Sequence, residues 1–444
     1  MIAKNRLKAS VLFMASFAVF SGCSLDEILS VDVPGKVLEE ALDNAALADV
    51  LTTGVVAEVE CSWNQYVAGA AHHSDEYVPT SGNLTMRNWG QRKIYASDAG
   101  YAQGTCGGWG YPMFTPLHTA RFQAEDVATR LAGFPADEVA DLASKQATAA
   151  TWGAFPLVAM GEGFCRMAID GGSAMQPAEV QAEAEQRFSS AISLAQAAGD
   201  ETLTMQGMLG RARVRIAKGD YAGAIADASQ IPDGFAVNVT RDNAEPRRYN
   251  YYFERLNAPT GFRAHGSLAD NYQNLTIGAD GMPMDGGDGV KDTRVNARTD
   301  GTLAADFATT LYYHDKYNSR GDPLPLVHWH EARMFEAEAL AMQGDVAGAL
   351  GKINGLRMAA GLPEVTADVS AGQIVDLVKE ERRRQLFVLG GHRLHDMLRF
   401  DIPFLGEPGS IHPNGLDQTG AEYGDVTCFQ LPEVEVKGNE NISS

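Results

Sequence analysis

The sequence predicts a mainly α-helical protein, built from tetratricopeptide-like helical pairs that carry an irregular, loop-rich region. Two observations lead there. The stretch "ARVRIAKGDYAGAIADASQI" from Ala212 recurs as "AEALAMQGDVAGALGKINGL" from Ala337, with Gly219-Asp220 matched by Gly344-Asp345. A helix, a Gly-Asp turn and a second helix with small residues facing back make a helical-hairpin repeat, and such units bury their apolar faces only by stacking. Against this, residues 72–112 and 231–325 are crowded with Gly, Asn, Asp or Ser and aromatics and lack helical periodicity.

Taken in order, residues 1–22 read as a secretory signal. Lys4, Arg6 and Lys8 precede an apolar run, Val11 to Phe20, and the small pair Ser21-Gly22. The run is shorter than the roughly 20 apolar residues a spanning helix needs, so it is expected to be removed. Cys23 directly after the small pair resembles the lipobox of bacterial lipoproteins, although Phe20 stands where Leu is usual. The resemblance implies cleavage before Cys23 and lipid on its sulfur and new amino end. Residues 24–45 look like a tether leading into a first helix.

Helical periodicity runs from about Asp43 to Tyr66. Residues 72–112 are expected to be mostly loop, with short strands at best. Helical signal returns at Phe114 to Leu131 and from about Ala136 to Glu162, where Pro156 should kink the helix because it removes a backbone donor. Pro177 opens another helix that closes on "AAGD" at 197–200, a weaker third copy of the repeat turn. Helical repeats thus occupy about 114–230 and 325–400 of a single domain, 23–444. An insertion as long as 231–325 without regular structure is uncommon unless it has a function. A rigid helical frame presenting two polar, aromatic loop regions is the layout of a binding protein.

The net charge is −21, which makes nucleic acid a poor partner. Four cysteines follow Cys23: Cys61, Cys106, Cys165 and Cys428. An even number in an exported chain suggests two disulfides with three possible pairings, and the spacings match no zinc pattern. Metal and catalytic signals are weak. His328 and His330 sit two apart, and His72 and His73 are adjacent, so each pair diverges on a helix. "DGMPMDGGDGVKD" at 280–292 is Asp- and Gly-rich, as Ca²⁺ loops are, but lacks EF-hand spacing and the closing Glu; a plain turn is expected. No nucleophile elbow, phosphate loop or zinc-hydrolase motif is present.

The C-terminal third carries more specific residues. They are Glu331, Ala337-Glu338-Ala339, Asn354, Arg357, Gly361-Leu362, Glu381-Arg382-Arg383, Leu386-Phe387, Gly391, Arg393, Asp396 and Arg399. With "DTRVN" at 292–296 and "FQLPEVEVKGNENIS" near the end, they resemble the SusD/RagB family of outer-membrane nutrient-binding lipoproteins. Thr293 and Glu440 depart from the family's prolines. The resemblance implies a tetratricopeptide-like helical body supporting an irregular ligand-binding region. It further implies a lipid-anchored protein of the outer membrane, facing outward beside a SusC-like TonB-dependent transporter. The ligand would be an oligosaccharide, or a peptide in some branches, bound without turnover. A tetratricopeptide-type envelope scaffold that binds no nutrient is the alternative from another class.

Glu380, Glu381, Arg383 and Arg384 fall at three- and four-residue spacings, as do Arg393 and Asp396, and are expected to tie helix ends together. Sugars are held by aromatic faces and short polar side chains. Three clusters offer these: Trp89 with Asn83, Arg87 and Asn88; Trp109 with Tyr111; and Tyr249, Tyr251, Tyr252 and Arg255. Tyr272 and Asn274 are weaker candidates. Trp63, Trp152 and Trp329 lie on helical faces and are expected in the core.

Overall fold

A computed structural model describes residues 39–258, 264–411 and 420–442. Cys23 and the leader lie outside these residues. Residues up to Asn44 form an N-terminal unit, described only by a 3₁₀ turn at Glu39–Leu42, and the chain from Ala45 onward forms a second compact unit.

The second unit opens with α1 (Ala48–His73), longer than its periodicity suggests because its C-terminal turns are buried on every side. Residues expected to be mostly loop contain β1 (Tyr77–Pro79), α2 (Leu84–Gly90) and α3 (Ala99–Gln103). Asn83 starts α2 by accepting a hydrogen bond from the Met86 amide at 3.2 Å, a short-range cap that hydrophobic periodicity does not register. The scaffold continues with α4 (Phe114–Gly133), α5 (Leu142–Gly153), α6 (Phe155–Gly163), α7 (Pro177–Ala198), α8 (Glu201–Lys218) and α9 (Tyr221–Ala228). The single kinked helix expected over 136–162 is instead two helices. It starts only at Leu142, after a left-handed Asp141, and breaks at Ala154 so that Pro156 falls in the first turn of α6, where its missing amide costs nothing.

Short strands punctuate the second irregular region: β2 (Ala236–Val239), β3 (Gly266–Leu268), a turn of helix α10 (Asp270–Gln273), then β4 (Leu275–Ile277), β5 (Pro283–Asp285), β6 (Val290–Lys291) and β7 (Leu324–His328). They pair antiparallel as β1–β3, β2–β7 and β5–β4–β6. The chain then returns to helices: α11 (Trp329–Met342), α12 (Val346–Ala359), α13 (Ile374–Gln385), α14 (His392–Arg399) and α15 (Glu433–Gly438).

The repeat appears as the hairpins α8–α9 and α11–α12. Gly219 and Gly344 take φ of 76° and 82°, the left-handed conformation that ends the first helix of each. Asp220 and Asp345 then cap the second helix, accepting from the amides of Gly223 (3.0 Å) and Gly348 (2.8 Å). A Cβ at either glycine would collide with that carboxylate, so the second glycine of the repeat follows from its cap. "AAGD" makes the same turn between α7 and α8, with Gly199 at φ 69° and Asp200 accepting from Leu203 at 2.9 Å. Met334, Ala337 and Ala341 of α11 pack on Ala349, Ile353 and Leu356 of α12 and on Leu377 and Val378 of α13. Trp63 is fully buried, Trp152 is buried, and Trp329 packs half-buried on this cluster.

The charged C-terminal helices are held by buried ion pairs. Arg382 makes two 2.9 Å bonds to Asp396 and reaches Glu338 at 3.1 Å. Glu381 pairs with Arg294 at 2.6 Å and with Arg357. Arg383 and Arg384 bond Glu380, as their spacing predicts, and also reach Asp285. The expected Arg393–Asp396 pair does not form. Arg393 instead clamps Asp75, just past α1, with two 2.6 Å bonds, while Asp396 serves Arg382 and Arg399. In the Asp- and Gly-rich stretch, Asp285 and Asp292 are taken by arginines, and Asp280 accepts from the Met282 amide. Among the described residues, no group of three or more His, Cys, Asp and Glu is placed to hold a metal ion. No described helix is long and apolar enough to cross a membrane.

Burial keeps the following histidines neutral at pH 7. It pushes His73, His118, His265, His328 and His395 down to about 4, and His314 and His330 to about 3. A group depressed on folding lends stability that is complete above its unfolded value, near 6.5, and lost as pH falls toward the folded value. Burial raises Glu76 and Glu331 to about 7, so their share runs the other way, being present below about 4.5 and fading as pH rises to 7. The histidines outnumber them. The urea midpoint is therefore expected to fall steeply from pH 6.5 to 4, and a flat profile over that interval would contradict the buried neutral histidines.

Candidate functional site

One face of α1 organises the site. Cys61 and Asn64 lie three residues apart and point the same way. Cys61 is disulfide-bonded to Cys106, Cα to Cα 6.0 Å, which fixes the start of the turn 104–113. Asn64 donates to the Tyr249 carbonyl at 2.9 Å and accepts from the Tyr251 amide at 3.1 Å. The two irregular regions are thereby brought together. The second disulfide, Cys165–Cys428, holds the C-terminal segment against the end of α6. Of the three possible pairings, the structure selects this one.

Between the two regions is a cavity of about 450 Å³, lined by Gly107, Trp109, Pro246, Tyr249, Tyr251, Glu254, Arg255 and His265. Trp109 stands 63% exposed at its edge. Buried Arg255 fixes that indole from beneath. Its guanidinium donates to the carbonyls of Gly108 (2.8 Å) and Gly110, on either side of Trp109. The same guanidinium stacks 3.6 Å from the Tyr251 ring. Gly110 takes φ 77°, and Gly107 takes φ 92° with Arg247 packed where a side chain would be. Trp109 meets His265 edge-on, centroids 5.7 Å apart, and His265 Nδ1 is 2.7 Å from Ser81 Oγ. Arg320 lies 4.5 Å over the Tyr249 ring and bonds both oxygens of Glu254, at 2.6 and 3.1 Å.

The electrostatics follow from burial. His265 is neutral, its pKa lowered to about 4 by burial and by the Arg255 charge. Burial raises the Tyr251 phenol, opposed by positive charge on Arg255, Arg241 and Arg247. The Tyr251 hydroxyl has no hydrogen-bond partner among the described residues. A buried, unsatisfied hydroxyl beside a cavity is completed by a polar ligand or by water. The arrangement offers an apolar platform and a ring of hydrogen-bonding groups, with the buried Ser81 hydroxyl bonded to neutral His265 behind it.

No family profile and no curated protein matches this chain. Solved structures do. A SusD-like protein from Bacteroides fragilis superposes with a TM-score of 0.66 at 12% identity, covering 95% of this chain and 99% of that one. The chain has the SusD fold. A SusD-like carbohydrate-binding protein from Bacteroides fragilis gives 0.65 at 14% identity, with 90% and 99% covered. One from Bacteroides vulgatus gives 0.64 at 13%, with 90% and 97% covered.

Within this SusD fold the candidates separate by whether they line the cavity. Trp109, Tyr249, Tyr251 and Arg255 share the cavity. Trp89, Tyr111 and Tyr252 are interior. Trp89 packs edge-on against Tyr111 at 5.1 Å and Phe429 at 5.4 Å, and Tyr252 stacks on Tyr317 at 5.4 Å. Tyr272 is buried against Phe387. Asn83 is spent on its cap, Arg87 and Asn88 are half-buried on α2, and Asn274 is an exposed turn residue whose carbonyl accepts from Gly286. None of these lines the cavity. Sequence reading missed Glu254, which adjoins Arg255, and His265, which stands alone in the chain and carries no local signal.

If the Cys61–Cys106 bond holds the Trp109 turn, replacing both by serine should accelerate amide hydrogen exchange across 104–113 while α7 and α8 stay protected. Closing a 45-residue loop contributes on the order of 4 kcal/mol in chain-entropy accounting. Equal exchange in 104–113 with and without the bond would refute the role.

Proposed function

We propose that this chain is a surface-exposed outer-membrane lipoprotein that binds oligosaccharides in the Trp109 cavity and delivers them to a SusC-like TonB-dependent transporter. One observation carries the binding reading. A large apolar ring is held exposed, by a buried arginine and a disulfide, at the edge of a cavity of polar groups. Exposing an indole forgoes the burial free energy that most tryptophans contribute, and fixing it adds no apolar burial. A pyranose recovers that burial on its apolar face while its hydroxyls meet Glu254 and the Tyr251 phenol. Solved proteins of the same fold described as carbohydrate-binding support the ligand class. Among the described lining residues Glu254 is the one carboxylate, whereas glycoside hydrolysis ordinarily uses two. The membrane and transporter parts rest on the lipobox-like Cys23 and on the C-terminal motif resemblance.

Binding is tested on a panel of neutral and charged oligosaccharides by calorimetry. Trp109→Ala should weaken the best ligand at least about tenfold, or ~1.4 kcal/mol, with no product formed by the native protein. Unchanged affinity would remove Trp109 from the site. The transporter partnership predicts that the chain, tagged after Ser444 and extracted gently from outer membranes, copurifies with a stoichiometric TonB-dependent barrel. Recovery of the chain by itself would argue against it.

A further inference from the structure

A second cavity, of about 610 Å³, adjoins the first and differs in chemistry. Thr240, Arg241, Arg247 and Arg248 line it, with Cys106 of the disulfide. The two cavities share a wall: Cys106 and Gly107 face different sides, as do Arg247 and Pro246, and Gly107 packs directly on the Arg247 side chain. Three guanidinium groups gather here in a chain whose net charge is −21.

Three carboxylates, Glu58, Glu60 and Glu245, share the lining and match the arginines in number. Glu60 accepts from the Thr240 amide at 2.7 Å and from its hydroxyl at 2.9 Å, and reaches Arg241 only at 3.6 Å. Glu245 accepts from the Arg247 amide at 3.2 Å, and Glu58 is half-buried. The arginines are less committed. The Arg241 side chain is 1% exposed, yet its Nε and Nη1 have no hydrogen-bond partner among the described residues, and Nη2 has the Glu60 carbonyl at 3.3 Å. Arg247 and Arg248 are exposed; Arg248 donates to the Thr240 hydroxyl at 2.9 Å. Leaving guanidinium donors buried and unspent is costly, and an oxyanion that presents two oxygens to the guanidinium fork, a planar carboxylate or a tetrahedral sulfate, matches them in geometry and charge.

We propose that this cavity receives an anionic substituent, a sulfate ester or a carboxylate, of a ligand whose uncharged ring lies against Trp109. The proposal rests on the aromatic cavity being the ligand site. It makes the ligand an acidic oligosaccharide, with the arginines selecting the charge and the aromatic side supplying contact area. Arg247 and Arg248 form the approach, and Arg241 with Thr240 forms the floor.

The first probe is inorganic sulfate, titrated into the intact protein at constant ionic strength with chloride as control. Saturable sulfate binding is expected, weakened at least tenfold in Arg247→Ala/Arg248→Ala and unchanged in Trp109→Ala. Both arginines are exposed, so the double variant should fold, and its thermal midpoint is checked alongside. Sulfate binding no stronger than chloride, or unaffected by the double variant, would overturn the proposal. The second arm compares a sulfated galacto-oligosaccharide, an oligogalacturonate and a neutral galacto-oligosaccharide. Preference for the first or second, abolished by the double variant, supports the proposal and identifies which anion is read. Preference for the neutral chain overturns it. Intact sulfate binding with glycan affinities that ignore Trp109→Ala would instead fault the aromatic reading and leave the anion cavity standing.

Discussion

Buried arginine–carboxylate pairing is the constraint on which this fold rests. Helices α11, α13 and α14 carry charges at positions that face inward, and each charge finds a partner on another element. Arg213 of α8 meets Glu162 of α6 at 2.5 Å with almost no solvent on either side. Burial opposes the Glu162 charge, but Arg213 outweighs it and holds the carboxyl below its usual range. Such pairs add little net stability, because desolvation cancels much of the attraction, but a mispaired arrangement would strand a buried charge. They therefore select one packing from the many that Ala-rich helices would tolerate. Arg393 on Asp75 illustrates this, locking α14 to the end of the helix that organises the site.

On that frame, the candidate site is built from segments with little regular structure. The turn 104–113 and the segment 246–258 have few ladder hydrogen bonds of their own. They are ordered by attachments to α1 and by Arg255, whose guanidinium serves two carbonyls and two aromatic rings at once. The resulting surface has an aromatic side and an arginine-bearing side separated by a disulfide-anchored wall. In the proposed binding mode, shape and charge are read by different parts of the same pair of loops.

The helical hairpins were legible in the sequence because their signals are local. The left-handed glycine, the aspartate cap and the glycine beneath it lie within five residues, so the motif at 219–223 and at 344–348 can be recognised without knowing what packs on it. The site was legible only in part for the opposite reason. Trp89 and Trp109 sit in equally polar, glycine-rich company, yet one is interior and the other exposed. What separates them is Phe429, more than 300 residues away, which packs on Trp89. Likewise Arg393 passed over the acid three residues along its own helix for Asp75, since a pair spanning two elements satisfies both ends of a buried contact. His265 joined the cavity through Ser81 and Trp109, neither of which is near it in sequence.

The disulfide topology has a consequence for how such a chain matures. Cys61 pairs with the next cysteine, Cys106, and Cys165 with the next after that, Cys428. In a polypeptide that emerges from its N terminus, each bond can close in order of appearance, with no rearrangement of earlier ones. The first bond closes across 45 residues, before the scaffold hairpins have emerged, whereas Cys165 stays a free thiol through the next 263. In such a chain the turn that carries Trp109 is tethered early, and the last covalent link waits until nearly all of the polypeptide has arrived.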